Sequence, residues 1–440
     1  MVVAGINIQQ LFILKEISVW WLLPIFLSWL FIFLSKIKIS FIHIILGYFS
    51  LNYIGILVYS YSYNFFYPTY IFAIGMVVYS LSIMVISYLG KYYKYNFPAN
   101  NILITNRKNT YMLSILLGFL VIFLISSLLF IKGGIPLFSP DANEKRFTIA
   151  NGAGLFARML KFGLTFSLIL IAVYFYTFKN SNKKIKYLYF FSIVITITYF
   201  IFLGNKGALL GVFIILFVIY TTFYESPKRF TKNLLFLTVF LIMSFIAAIF
   251  IASKILSISL EESFWLIMYR ATVMAGMGFF QMVHDFVPVK GFQYGLGHLN
   301  GFYDLLATFR IMPRGEHTFL GLELSYFMAG LPVDTSIFVY PITITIFADF
   351  YYEFGLIGIV AGSILFAYFS LWIYKQVKTS KNLFTKSFFL YLQVFAISVA
   401  SKGSIMGCIN NELISTLVAF CIYIIIYQLL KKIRKEPYRL

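Results

Sequence analysis

Apolar runs of about 16 to 21 residues recur along the chain, separated by short polar breaks rich in lysine. A bilayer's hydrocarbon core is about 30 Å thick and takes about 20 apolar residues of helix to cross. With no water there to satisfy backbone N–H and C=O groups, such runs must be helices that close their own hydrogen bonds. The runs lie at 17–35, 41–60, 69–89, 111–131, 163–178, 187–203, 207–223, 234–253, 354–374, 387–403 and 412–430. They predict an all-α integral membrane protein, one polytopic domain over 1–440 with about eleven transmembrane helices (range 10–13). No internal repeat stands out.

Composition agrees with the pattern. Only 11% of the 440 residues are charged, where a soluble domain carries about a quarter. The net charge of +20 raises the question of nucleic-acid binding, and its distribution answers it. Alternate short breaks and the C-terminal tail hold 22 of the 35 basic residues and only two acids, Glu225 and Glu436. The opposite side carries 13 residues of each sign, a net of zero. That asymmetry is the positive-inside signature, so the N-terminus is expected outside and the C-terminus in the cytoplasm. No nucleic-acid partner is implied. Cys408 and Cys421 are not expected to pair, and no basic region precedes the first apolar run, so no cleaved leader is expected.

Two outward segments break the rhythm: 132–162, and a loop of about a hundred residues at 254–353. Loops of that length inside a compact domain are commonly functional. Within the second, 263–283 reads as a helix lying in the interface or re-entering, and 336–348 as a stretch that dips into the membrane. The first presents Arg146, Arg158 and Lys161 at the membrane surface. Guanidinium groups suit a diphosphate because their planar fork donates two parallel hydrogen bonds. The same cations can equally hold lipid headgroups or pair with Asp141 and Glu144. In the turn FLGNKGALLG, Lys206 is an outward cation against the positive-inside trend, or else a snorkelling lysine.

The long loop offers Arg270, His284, Asp285, His298, Asp304, Arg310, Arg314, Glu316, His317 and Glu323. Its PRGEHT cluster sets His317 and Glu316 beside Arg314, and either can act as a general base toward a sugar hydroxyl. Asp349 and Glu353, four residues apart, share a helix face at the entrance to the ninth run, as accessory chemistry or as interfacial caps. Histidine gaps of 14 and 19 residues match no short metal-ligand pair, so no metal and no cofactor are expected. Nucleophile-elbow and Walker-type phosphate motifs are also absent from the sequence.

Three stretches together resemble the bacterial oligosaccharide repeat-unit polymerases, the O-antigen polymerase (Wzy-type) family. GIPLFSPDANEKRF followed by Arg158 resembles that family's first external loop, and FLGNKGALLG its short Gly-basic-Gly turn. FADFYYEFGLIGIVAG resembles its late aromatic-acidic element. The likeness covers about 130–225 and 340–370; the middle of the long loop does not share in it. It implies a GT-C-like, metal-independent glycosyltransferase of the bacterial inner membrane. Such an enzyme joins polyprenyl-diphosphate-linked oligosaccharides outside the cytoplasm into O-antigen, capsule or exopolysaccharide, with a chain-length regulator as a candidate partner. The resemblance assigns Arg146, Arg158 and Lys206 to the diphosphate and matches Asp349 and Glu353 without fixing their role. Arg270 and Arg314 are expected to assist the diphosphate contacts, with His317 or Glu316 activating the acceptor. An O-antigen ligase and a lipid-linked oligosaccharide flippase or transporter are the competing expectations.

Overall fold

The structure is a computed structural model describing residues 17–95, 108–139, 159–178, 183–203, 206–223, 245–254, 257–309, 311–313, 318–333 and 342–433, with small pieces at 2–3, 6–7, 145, 239 and 242–243. Apart from a two-residue antiparallel pairing of Val2–Val3 with Ile6–Asn7, the regular structure described is helical. In chain order the main helices are α1 (Leu23–Leu34), α2 (Phe41–Tyr63), α3 (Tyr67–Leu89), α4 (Lys108–Gly133), α5 (Leu164–Thr177), α6 (Lys183–Phe202) and α7 (Lys206–Phe223). They continue with α8 (Leu260–Gln281), α9 (Leu296–Thr308), α10 (Leu320–Met328), α11 (Ile346–Thr379), α12 (Leu383–Lys402) and α13 (Ile414–Ile433).

Seven helices among the described residues are long and apolar enough to cross a membrane: Phe41–Tyr63, Tyr67–Leu89, Asn109–Phe138, Lys184–Phe202, Ile346–Thr379, Leu383–Lys402 and Ile405–Ile433. Shorter apolar helices at Val19–Leu34, Lys161–Thr177, Gly211–Phe223 and Phe245–Lys254 overlap the other four runs of the sequence. The outward faces are greasy: Phe33 is 80% exposed and Ile357 78%. Apolar side chains standing outward on long apolar helices suit lipid rather than water. The chain is an α-helical membrane protein.

The chain divides into two compact units. The first comprises Met1–Asn96, Glu261–Trp372 and Phe395–Asn410. Its centre is aromatic: Phe49 lies 4.5 Å from Phe347 ring to ring, and Phe72 stands edge-on to both Phe347 (5.0 Å) and Phe279 (5.1 Å). Such pairs add about 0.5–1.5 kcal/mol each beyond the area they bury. Helix α8 advances along α2 in the same chain direction. Gly276 meets Asn52, Gly55 and Ile56, and one and two turns later Phe280 and His284 pack on Tyr63 and Phe65. The approach at Gly276 is backbone to backbone, so a Cβ there would collide with main-chain atoms that cannot swing aside. Gly276→Ala should therefore cost about 1–3 kcal/mol. A lowered unfolding temperature in detergent checks this; an unchanged one would show the two helices to be less tightly packed.

The second unit comprises Phe97–Leu260, Ile373–Val394 and Asn411–Leu440. Helix α5 is buried all round from Leu164 to Tyr174, which accounts for its apolar residues at every position. Its Ser167 Oγ accepts from Tyr423 Oη at 2.8 Å, so a buried phenol is satisfied within the helix layer. Lys378, 5% exposed, donates its Nζ to Thr222 O at 2.8 Å, so the buried ammonium has a carbonyl partner in place of water.

Helix α11 is two helices joined at a break. Phe354 (φ −138°, ψ 18°) and Gly355 (φ 61°, ψ −142°) leave the helical region. The second conformation is one that a side chain resists, so glycine is required there. The break falls where the sequence begins its ninth apolar run. It frees the carbonyls of Tyr352 and Glu353, and the loop before α9 satisfies them: Gln293 N donates to Tyr352 O (3.0 Å) and Tyr294 N to Glu353 O (2.9 Å).

Candidate functional site

The first half of α11 carries Asp349 and Glu353 one turn apart, and both side chains are nearly sealed, at 4% and 2% exposed. Each carboxylate gives one oxygen to a backbone N–H at the start of another helix. Glu353 Oε2 accepts from Gly295 N at 2.6 Å, at the N-terminus of α9. Asp349 Oδ2 accepts from Ile405 N at 2.7 Å, opening the short helix Ile405–Cys408. Charged oxygens there answer both the orphan donors and the positive end of the helix dipole. These acids are thus caps, though for helices other than their own.

Glu353 turns its other oxygen toward His298, in the first turn of α9, while Asp349 meets the ring with the same oxygen that caps Ile405. His298 Nδ1 lies 3.5 Å from Glu353 Oε1 and 4.0 Å from Asp349 Oδ2. Glu353 Oε1 is buried and has no hydrogen-bond partner, a costly state that calls for a reason. The imidazole is 38% exposed, so one edge meets the carboxylates while the ring still reaches the surface. Gly297 lets α9 come this close, because a Cβ there would strike Glu353 Oε1 and the Tyr352 ring.

A further acid stands behind the trio. Tyr352 Oη donates to Glu323 Oε1 at 3.3 Å and Oε2 at 3.4 Å. Burial raises the Glu323 carboxyl above its ordinary 4.5; the Lys290 charge and the Tyr352 hydroxyl pull it back, and Glu353 pushes it further up. The folded chain therefore holds this proton more tightly than the unfolded one. The stability it contributes is complete below pH 4.5 and falls as pH rises toward the raised folded value. Thermal unfolding of Glu323→Gln across pH 4.5–7 should show a flatter decline than the wild type; parallel curves would remove the carboxyl from this account.

The arrangement suits proton transfer. Carboxylates beside one ring nitrogen stand close to the positive charge the ring acquires, leaving the other nitrogen to take a proton from a substrate hydroxyl. Among the described residues no three of His, Cys, Asp and Glu are placed to share a metal ion, and two carboxylate oxygens of the trio are already engaged by backbone N–H groups.

Of the residues singled out from the sequence, Asp349 and Glu353 are brought together, and Arg270 lies exposed on α8. Arg146, Arg158, Arg314, Glu316 and His317 lie outside the described residues, as does the Lys206 side chain, whose backbone opens α7. His298 was one histidine among several in the long loop. Its partners are 51 and 55 residues away, and no local pattern marks it. In comparisons with known proteins, no family model, no curated protein and no solved structure matches the chain.

Proposed function

We propose that the chain is a membrane glycosyltransferase, GT-C-like in arrangement, that polymerises polyprenyl-diphosphate-linked oligosaccharide repeat units on the outer face of a bacterial inner membrane. The observation that supports it best is the trio itself: a part-exposed imidazole backed by two buried carboxylates, at one end of a helix whose other end carries Lys375 and Lys378. The positive-inside rule assigns the lysine end to the cytoplasm. The stretch 356–379 rises about 36 Å at about 1.5 Å per residue, enough to cross the hydrocarbon, which supports an outer-rim position for the trio.

In this reading His298 takes the proton of an acceptor sugar hydroxyl as its oxygen bonds to the anomeric carbon of the donor. The bond from that carbon to the diphosphate oxygen breaks, and the electron pair leaves with the lipid diphosphate. Charge grows on the leaving group, so fixed cations held outside the bilayer lower the barrier. Arg158 and Lys206 are assigned that task, with Arg146, Arg270 and Arg314 as further contacts. His317 and Glu316 are the alternative bases.

One structural feature favours a second reading. Buried carboxylates on a broken apolar helix are also a device of proton-coupled transporters, so a flippase for the same lipid-linked oligosaccharide is the rival. Arg158→Ala in cells separates the two. The polymerase reading expects surface polymer to vanish while single repeats still reach the surface, whereas a flippase variant would lose both. Long chains retained in Arg158→Ala would take that residue out of the site.

A further inference from the structure

At the end of α8 the backbone widens into a π-turn over Met282–Phe286. On a regular α-helix neighbouring side chains splay apart and do not face each other. Here they meet: His284 Nδ1 lies 2.6 Å from Asp285 Oδ1. Single π-turns inserted in helices occur frequently at functional sites.

The histidine sits among three aromatic rings. Phe280 stacks on it (5.3 Å, 16°), Phe65 meets it edge-on (5.0 Å, 73°) and Tyr63 leans against it (5.8 Å, 53°). The group is open at the protein surface, with the His284 and Asp285 side chains 34% and 40% exposed and Tyr63 59% exposed. No step of the proposed transfer uses any of these residues.

We infer that Tyr63, His284 and Asp285 form a saccharide-binding subsite that holds one sugar ring of the glycan. With Nδ1–H given to Asp285, His284 presents Nε2 as an acceptor, and the second Asp285 oxygen is another. Two acceptors side by side match the paired O–H donors of a pyranose. The exposed Tyr63 face matches the C–H face of that ring, since aromatic rings combine apolar area with low conformational cost. A phosphate group would present only acceptor oxygens to an acceptor pair and would be repelled. The subsite deepens the polymerase reading and rests on it for its role, though sugar binding itself can be tested separately.

The test uses the full-length protein in detergent and a panel of methyl pyranosides and disaccharides, read by saturation-transfer NMR. At least one member should bind through its C–H face, with affinity about tenfold weaker in Tyr63→Ala, weakened in Asp285→Asn, retained in Tyr63→Trp and unchanged in His298→Ala. Wild-type unfolding temperature in Tyr63→Ala assures that the fold is intact, and Tyr63→Trp decides the matter where it is not. Absence of binding to the whole panel, or binding indifferent to Tyr63 and Asp285, overturns the subsite. Tyr63-dependent binding in a protein that fails to lengthen lipid-linked oligosaccharides keeps the subsite and overturns the polymerase reading. Lengthening with an unchanged KM for acceptor in Tyr63→Ala does the reverse.

Discussion

His298→Ala should lower the turnover of chain elongation by about a hundred- to ten-thousandfold, the usual contribution of a positioned general base. Stability should barely change, because the side chain is 38% exposed and Glu353 and Asp349 keep their backbone donors when it is gone. The KM for the lipid-linked donor should hold, since in the proposed transfer the imidazole acts on the acceptor hydroxyl in the transition state. Elongation assayed in detergent against donor concentration separates these parameters. A large rise in KM with turnover intact would make His298 a binding residue and send the search for a base to Glu316 and His317.

Glu353→Ala should destabilise the first unit. It strips Gly295 N of its acceptor at the start of α9 and leaves a void beside Tyr352 and Gly297. A lost hydrogen bond to a charged group costs about 1.5–3 kcal/mol, and the void adds to it. Glu353→Gln divides the two roles of the carboxylate. Its amide oxygen can still accept from Gly295 N, so the fold should survive, while the negative charge beside His298 is gone and elongation should fall. Unfolding temperature and turnover measured on both variants check the split. Equal activity in Glu353→Gln and wild type would reduce Glu353 to a cap.

The membrane helices were legible because the signal is long and local: about 20 consecutive apolar residues leave a backbone in lipid no alternative. Even the start of the ninth run, at 354, marks a true discontinuity, since Gly355 supplies a conformation other residues resist. Helix α8 was harder to read. Glu261, Glu262 and Arg270 dilute its apolar character, so 263–283 reads as interfacial or re-entrant; what the sequence does not announce is that α8 packs on α2 through Gly276. A glycine that admits another backbone looks in sequence like any other glycine.

The site was half visible for the same reason. Asp349 and Glu353 announce themselves by their spacing, and capping is the role the geometry shows for both. What spacing cannot show is that the helices they cap are α9 and Ile405–Cys408, or that the first of these caps delivers His298 to Glu353. That pairing depends on a chain return of 55 residues, with Gly297 making room for it.

The central claim is that the His298 trio turns over a lipid-diphosphate glycan. Purified protein, given a polyprenyl-diphosphate oligosaccharide repeat unit in the presence of a chelator, should yield a ladder of longer lipid-linked products that disappears in His298→Ala. A wild-type protein that yields no ladder, or a variant that yields the same one, would contradict it.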